Sequence, residues 1–198
     1  MSEAPRQARL PTARVFFALW PDAQVRQALM RAALSLHRRV DGKLTREESV
    51  HMTLLFLGAT PTERLGALAE LGASAPFEAF ALDLDAADCW KHNKIAWVAP
   101  STTPPALASL VQHLGRGAVA LGFPVDSRPF APHLTLVRKA RCSPLDLEPL
   151  RIRWDVRDFV LVRSELGRDG SRYHTIGRWP PGPQAPTSVS APQPSPSV

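Results

Sequence analysis

A chain of 198 residues that is 44% hydrophobic and 21% charged can bury the interior of one folded domain, which excludes an extensively disordered protein. Its 24 Lys and Arg against 18 Asp and Glu leave a formal charge of +6, an excess that suits an anionic ligand such as nucleic acid. The Arg-rich stretches Arg138 to Arg141 and Arg151 to Arg157 are as readily solvated faces as phosphate-binding patches. Cys89 and Cys142 are too few for a disulfide framework, so reduced thiols and a cytoplasmic location are expected. The apolar run Val15 to Trp20 is too short to span a bilayer, and no membrane partner is expected.

The first dozen residues and the Pro- and Ser-rich stretch from Pro180 to Val198 lack periodic apolar positions and read as flexible tails around a folded unit of residues 13–179. Within that unit Val15 to Leu19 reads as a buried strand. Asp22 is placed to cap a helix carrying Val25, Leu29, Ala32, Ala33 and Leu36. Val50 to Leu57 is strand-like and ends at the turn-rich Gly58-Ala59-Thr60-Pro61. A shorter helix over Thr62 to Leu71 is expected to stop at Gly72.

Strands follow at Ala79 to Leu84 and Lys94 to Val98, the second behind a turn at Lys91 to Asn93. A helix begins near Pro104 and carries Leu107, Leu110, Val111 and Leu114, with Gly115 and Gly117 weakening its end. His133 to Val137 reads as a strand, and Phe159 to Ser164 with Arg172 to Ile176 read as a hairpin around Arg168-Asp169-Gly170. The recurrence of strand, helix, strand ahead of His133 predicts an α+β fold of two duplicated lobes, antiparallel-rich sheets lining a central cleft and helices outside.

The chemistry sits in a repeat: His51-Met52-Thr53-Leu54 and His133-Leu134-Thr135-Leu136. In an extended strand alternate side chains share a face, so each copy buries two apolar residues and presents an imidazole beside a hydroxyl. Facing one another across a cleft, the four polar groups would surround one phosphoryl group. Imidazoles titrating near neutrality can serve as base and acid, and threonine hydroxyls can donate to the non-bridging oxygens. One such copy is commonplace; two in comparable strand contexts are not.

The residues around these motifs carry a resemblance. Val15 to Leu19, Ser49 to Gly58, Arg128 to Arg138, and Leu161 to Leu166 with Gly170 and Tyr173 resemble the two-histidine phosphoesterases, and within them the RNA 2′,3′-cyclic phosphodiesterases, also called 2′-5′ RNA ligases. The resemblance implies hydrolysis of a 2′,3′-cyclic phosphate end to a 2′-phosphate, with His51 as proton donor, His133 as proton acceptor, and Thr53 and Thr135 holding the phosphate. It also implies a reversible 2′-5′ joining of RNA ends. No cofactor and no metal are expected, and the partner is an RNA end met by a monomer.

Arg138, five residues after His133, could bind phosphate in bidentate fashion, yet strict alternation puts it on the wrong face unless the strand ends or bulges near Val137. Phe56, equally placed after His51, either stacks a base or fills the core, the core being the commoner fate. His37, His92, His113 and His174 are expected to be surface or structural, and Cys89 with His92 lacks the second pair of a zinc site. The same chemistry on a small cyclic nucleotide or a 2′-5′ oligonucleotide is the first alternative, and an RNA-binding module without turnover is the second.

Overall fold

The computed structural model describes residues 11–142, 145, 149–167 and 170–180. The two expected tails therefore lie outside the described residues almost entirely, as do Arg168 and Asp169 of the expected hairpin turn. Nine strands and three α-helices follow one another among the described residues: β1 (Thr12–Leu19), α1 (Ala23–Val40), β2 (Lys43–Leu44), β3 (Met52–Pro61), α2 (Leu65–Ala73), β4 (Phe80–Trp90), β5 (Ile95–Pro100), α3 (Pro105–Ala120), β6 (Leu134–Arg138), β7 (Ile152–Val156), β8 (Phe159–Gly167) and β9 (Gly170–Trp179).

Local chemistry explains most of these boundaries. Asp22 caps α1, its carboxylate accepting from the Val25 amide at 2.9 Å, while His37, Arg38 and Arg39 occupy the last turn, where a positive charge meets the helix dipole favourably. Pro105 starts α3 at a position where a missing N–H costs nothing. The helix runs on through Gly115 and Gly117 because its buried face, Leu107, Leu110, Leu114 and Ala118, continues past them, and Gly117 lets Leu71 of α2 lie against its backbone.

Gly72 does not end α2, contrary to the sequence expectation. It is buried inside the helix, where a Cβ would stand 2.5 Å from the Trp179 indole, so its role is close packing. The segment Gly58 to Pro61 likewise is not a turn. Gly58 takes φ 68° beside a register shift in the β1–β3 ladder, and this glycine bulge lets β3 continue to a pairing of Pro61 with Thr12. β7 was not foreseen, although Ile152, Trp154 and Val156 are buried and Arg153 and Asp155 exposed in strict alternation.

All strand pairs are antiparallel, in the order β7-β4-β5-β6-β3-β1-β8-β9, with β2 added on β6. The expected α+β class holds. At the centre β3 and β6 share a single residue pair, Met52 with Leu134, so two groups of strands meet at a narrow seam. α1, which follows β1, packs on β6 and β7 across that seam, and α3 packs on β3. One apolar core, including Phe17, Leu29, Met52, Leu107, Leu134 and Phe159, runs through both groups. No helix among the described residues is long and apolar enough to cross a membrane.

Cys89 and Cys142 form a disulfide, with Cα atoms 5.4 Å apart, which corrects the expectation of free thiols. Cysteine number says nothing about spatial separation. Cys89 near the end of β4 pairs with Ala96, and the segment beyond β6 returns past the same end of the sheet when Ala140 N–H donates to the Lys94 carbonyl.

Candidate active site

The seam pairing of Met52 with Leu134 fixes the rest by geometry. Both side chains point into the core and are fully buried. Their sequence neighbours point to the opposite face, and the antiparallel register sets His51 across from Thr135 and Thr53 across from His133. These four residues, with Ser49, Ile95 and Arg138, line one pocket of about 200 Å³.

Both imidazoles are tied in the same way. His51 Nδ1 lies 2.8 Å from the Ser49 carbonyl, and His133 Nδ1 lies 2.8 Å from the Ala131 carbonyl, two residues upstream in each case. A carbonyl can only accept, so each Nδ1 carries a proton and each Nε2 is left to exchange one in the pocket. Burial is the main influence on both rings. It pushes His51 down from 6.5 to about 4, against the opposing pull of the Ser49 carbonyl and with help from Arg138 and His133; it also lowers His133, again against a carbonyl and with Arg138.

A second repeated device explains Arg138 and Phe56. In β6 Trp97 pairs with Thr135 and Ala96 with Val137, so Leu136 has no partner across the ladder. In β3 Ala18 pairs with Thr53 and Phe17 with Leu55, so Leu54 is likewise skipped. Each bulge buries two consecutive apolar residues, Leu136 with Val137 and Leu54 with Leu55, and returns the next residue to the pocket face. The Leu136 carbonyl is taken up by the Thr45 amide at 2.8 Å.

Arg138 thereby joins the histidine pocket, by the bulge that its sequence position required. Phe56 leaves the core, contrary to the preferred expectation: it is 46% exposed, with the Arg14 guanidinium 4.8 Å from its ring centre. A groove of about 490 Å³ leads from His51 and Thr53 past Phe56 and Arg14 to Arg46, Leu166 and Tyr173. Arg46, which donates to the Ser171 carbonyl, ties the β8–β9 hairpin to its rim.

The remaining candidates stay outside. His37 lies 3.1 Å from the Gly42 carbonyl, His113 meets Ser74, His174 faces Glu165, and His92 lies near Trp90. Cys89 is engaged by Cys142, and no group of three His, Cys, Asp or Glu suited to a metal occurs among the described residues. Arg141 pairs with Asp41, and Arg153 with Asp83 and Asp155, as solvated surface charges.

Sequence reasoning missed the aromatic surroundings of His51. Phe16, Trp20 and Tyr173 all contact its ring, while Trp90 meets His133 edge-on at 4.5 Å. The alternation of Phe16 and Ala18 in the first strand with Trp20 just past its end was the available signal.

Comparison with known proteins identifies the family. Residues 19–168 match the model of the 2′-5′ RNA ligase superfamily. An RNA 2′,3′-cyclic phosphodiesterase of Escherichia coli is 30% identical over 84% of this chain and 95% of its own length. A protein of the same name from Thermus thermophilus is also 30% identical, over 84% of this chain and 89% of its own. The crystal structure of E. coli LigT complexed with 3′-AMP superposes with a TM-score of 0.79 at 28% identity, covering 86% of this chain and 98% of that one. A family model matching most of the chain, relatives covered almost end to end and a shared fold lead to one conclusion: the chain belongs to the 2′-5′ RNA ligase superfamily.

Proposed function

We propose that this protein hydrolyses RNA 2′,3′-cyclic phosphate ends to 2′-phosphates by acid–base catalysis between His51 and His133, without a metal. The observation that carries this reading is the convergence of two Nδ1-anchored imidazoles, two threonines and one arginine on a single small pocket. His133 Nε2 accepts a proton from water as the water oxygen attacks phosphorus. The bond from phosphorus to the 3′ oxygen breaks, and His51 Nε2 supplies the proton to that oxygen. Thr53, Thr135 and Arg138 donate to the non-bridging oxygens as charge gathers there.

The protonation states follow the substrate. Burial favours the neutral form of both rings; an entering phosphodiester anion offsets Arg138 and draws a proton onto one imidazole. Phe56, half exposed under Arg14, offers a face on which the terminal base stacks. The same groups serve when a 5′-hydroxyl replaces water: its oxygen attacks phosphorus as its proton passes to His133, the bond to the 3′ oxygen breaks, and that oxygen takes the proton from His51, which is the 2′-5′ joining reaction.

The test is incubation of the purified protein, chelator present, with an RNA oligomer ending in a 2′,3′-cyclic phosphate, alongside His51→Ala and His133→Ala. Conversion to a 2′-phosphate, lost in both variants, is expected. A reaction abolished by chelator and restored by a divalent ion would overturn the metal-free mechanism.

A further inference from the structure

His51 is held differently from His133. The indole of Trp20 lies 4.9 Å from its ring centre and within 8° of parallel; the ring of Phe16 lies at 4.9 Å and 25°. Phe16, Ala18 and Trp20 alternate along one edge of the chain, and Ala18 is fully buried beside Thr53, its pairing partner in β3. Large, small, large at a period of two leaves a slot about as wide as one ring, since residues four apart along a strand are separated by roughly 13 Å. The His51 imidazole fills that slot, and Tyr173 closes it from β9 at 5.3 Å and 71°.

We propose that Trp20, with Phe16 opposite, is a positioning residue for the reaction, clamping the His51 imidazole face to face so that Nε2 is already aimed at the phosphate when substrate arrives. This inference rests on the proposed phosphodiesterase reading. Many catalytic histidines are oriented by a carboxylate, but among the described residues His51 has only the Ser49 carbonyl, which fixes one ring atom and leaves the ring free to tilt. Two aromatic faces remove the tilt. They also accept the ring in either charge state, because π faces attract an imidazolium and pack equally well against a neutral ring. The proton can therefore come and go without rearrangement, and no fixed anion competes with the phosphate. Among the described residues His133 has one edge-on contact, with Trp90, and no such slot.

The charged or titratable groups facing His51 are Arg138 and His133 across the pocket and the Tyr173 ring from β9. Opening the slot admits water to the ring, which relieves the burial that holds the imidazole neutral.

The experiment compares full-length Trp20→Phe and Trp20→Leu with the parent, measuring kcat and KM on cyclic-phosphate RNA from pH 4 to 9 and following the imidazole titrations by NMR. Trp20→Phe keeps a stacking face and should stay within about threefold of the parent; Trp20→Leu should lose roughly 10- to 100-fold in kcat, with KM little changed, as expected for a misaimed group. In Trp20→Leu the His51 titration should move upward while that of His133 stays in place. Equal losses in both variants, or a Trp20→Leu enzyme with parental kcat and an unmoved His51 titration, would overturn the proposal. If Trp20→Leu does not fold, Trp20→Met, which keeps most of the volume without the aromatic face, carries the same expectations. A parent unable to hydrolyse the ester refutes the phosphodiesterase reading, whereas the NMR titrations judge the clamp independently of substrate.

Discussion

Replacing His51 by phenylalanine separates what this ring does for catalysis from what it does for stability. Phenylalanine fits between Phe16 and Trp20 but does not titrate. In the native protein burial holds His51 at about 4 against an ordinary 6.5, so between those values the unfolded chain binds the proton more readily. The sign follows: stability from the buried neutral ring is fully present above the unfolded value and is lost as pH falls towards the folded one. Linkage over these two values gives a loss of about 2 kcal/mol between pH 7 and pH 5, nearing 3 kcal/mol by pH 4. Urea unfolding at pH 7 and pH 5, read by circular dichroism, measures it: the parent should lose about 2 kcal/mol more over that interval than His51→Phe. Most carboxylates remain ionised at pH 5, and the comparison cancels their part. Parallel losses in the two proteins would refute the argument that burial keeps His51 neutral.

Other outcomes follow from the same geometry. Arg138→Met should raise KM about 10- to 100-fold, through loss of charge-assisted hydrogen bonds to phosphate, and should shift both imidazole titrations upward, because Arg138 lowers each of them. Phe56→Ala should weaken nucleotide binding by roughly 1–3 kcal/mol in calorimetry, as expected for one lost stacking contact, and leave the melting temperature nearly unchanged since the ring is half exposed. Gly72→Ala should do the reverse, costing about 1–3 kcal/mol of stability through overpacking against Trp179, with kcat retained. Reduction of the Cys89–Cys142 bond, which closes a span of 53 residues, should destabilise the fold by at most about 4 kcal/mol on the chain-entropy model, read from denaturation midpoints with and without reductant.

The parts of this protein that obey a simple period were legible in its sequence. Alternation in the two histidine motifs revealed which residues share a face, and the apolar spacing from Val25 to Leu36 with Asp22 ahead of it revealed the first helix. The bulges at Leu54 and Leu136 were not legible, because neighbouring large aliphatic residues look the same whether a strand skips a partner or not. Arg138 at least posed the question, since it could act only if the strand broke step. Phe56 had base stacking as one of its two readings, but the core was favoured because an aromatic residue in an apolar run is ordinarily core. The aromatic slot and the disulfide join residues far apart in the chain, and only the sheet order brings Tyr173 to His51 or Cys142 to Cys89. β7 was a misjudged signal: its charged residues hid a regular alternation.

The pairing of β1 with β8 has a consequence for biosynthesis. β1 leaves the ribosome well before the β8–β9 hairpin and finds one of its two neighbours only when that hairpin emerges. At ordinary translation rates that wait is on the order of ten seconds, during which Phe16 and Phe17 sit on a half-paired edge. A truncated product ending before Phe159 would carry both histidine motifs intact and still lack the wall that encloses His51, so messages cut short should yield chains prone to aggregation rather than partial enzymes.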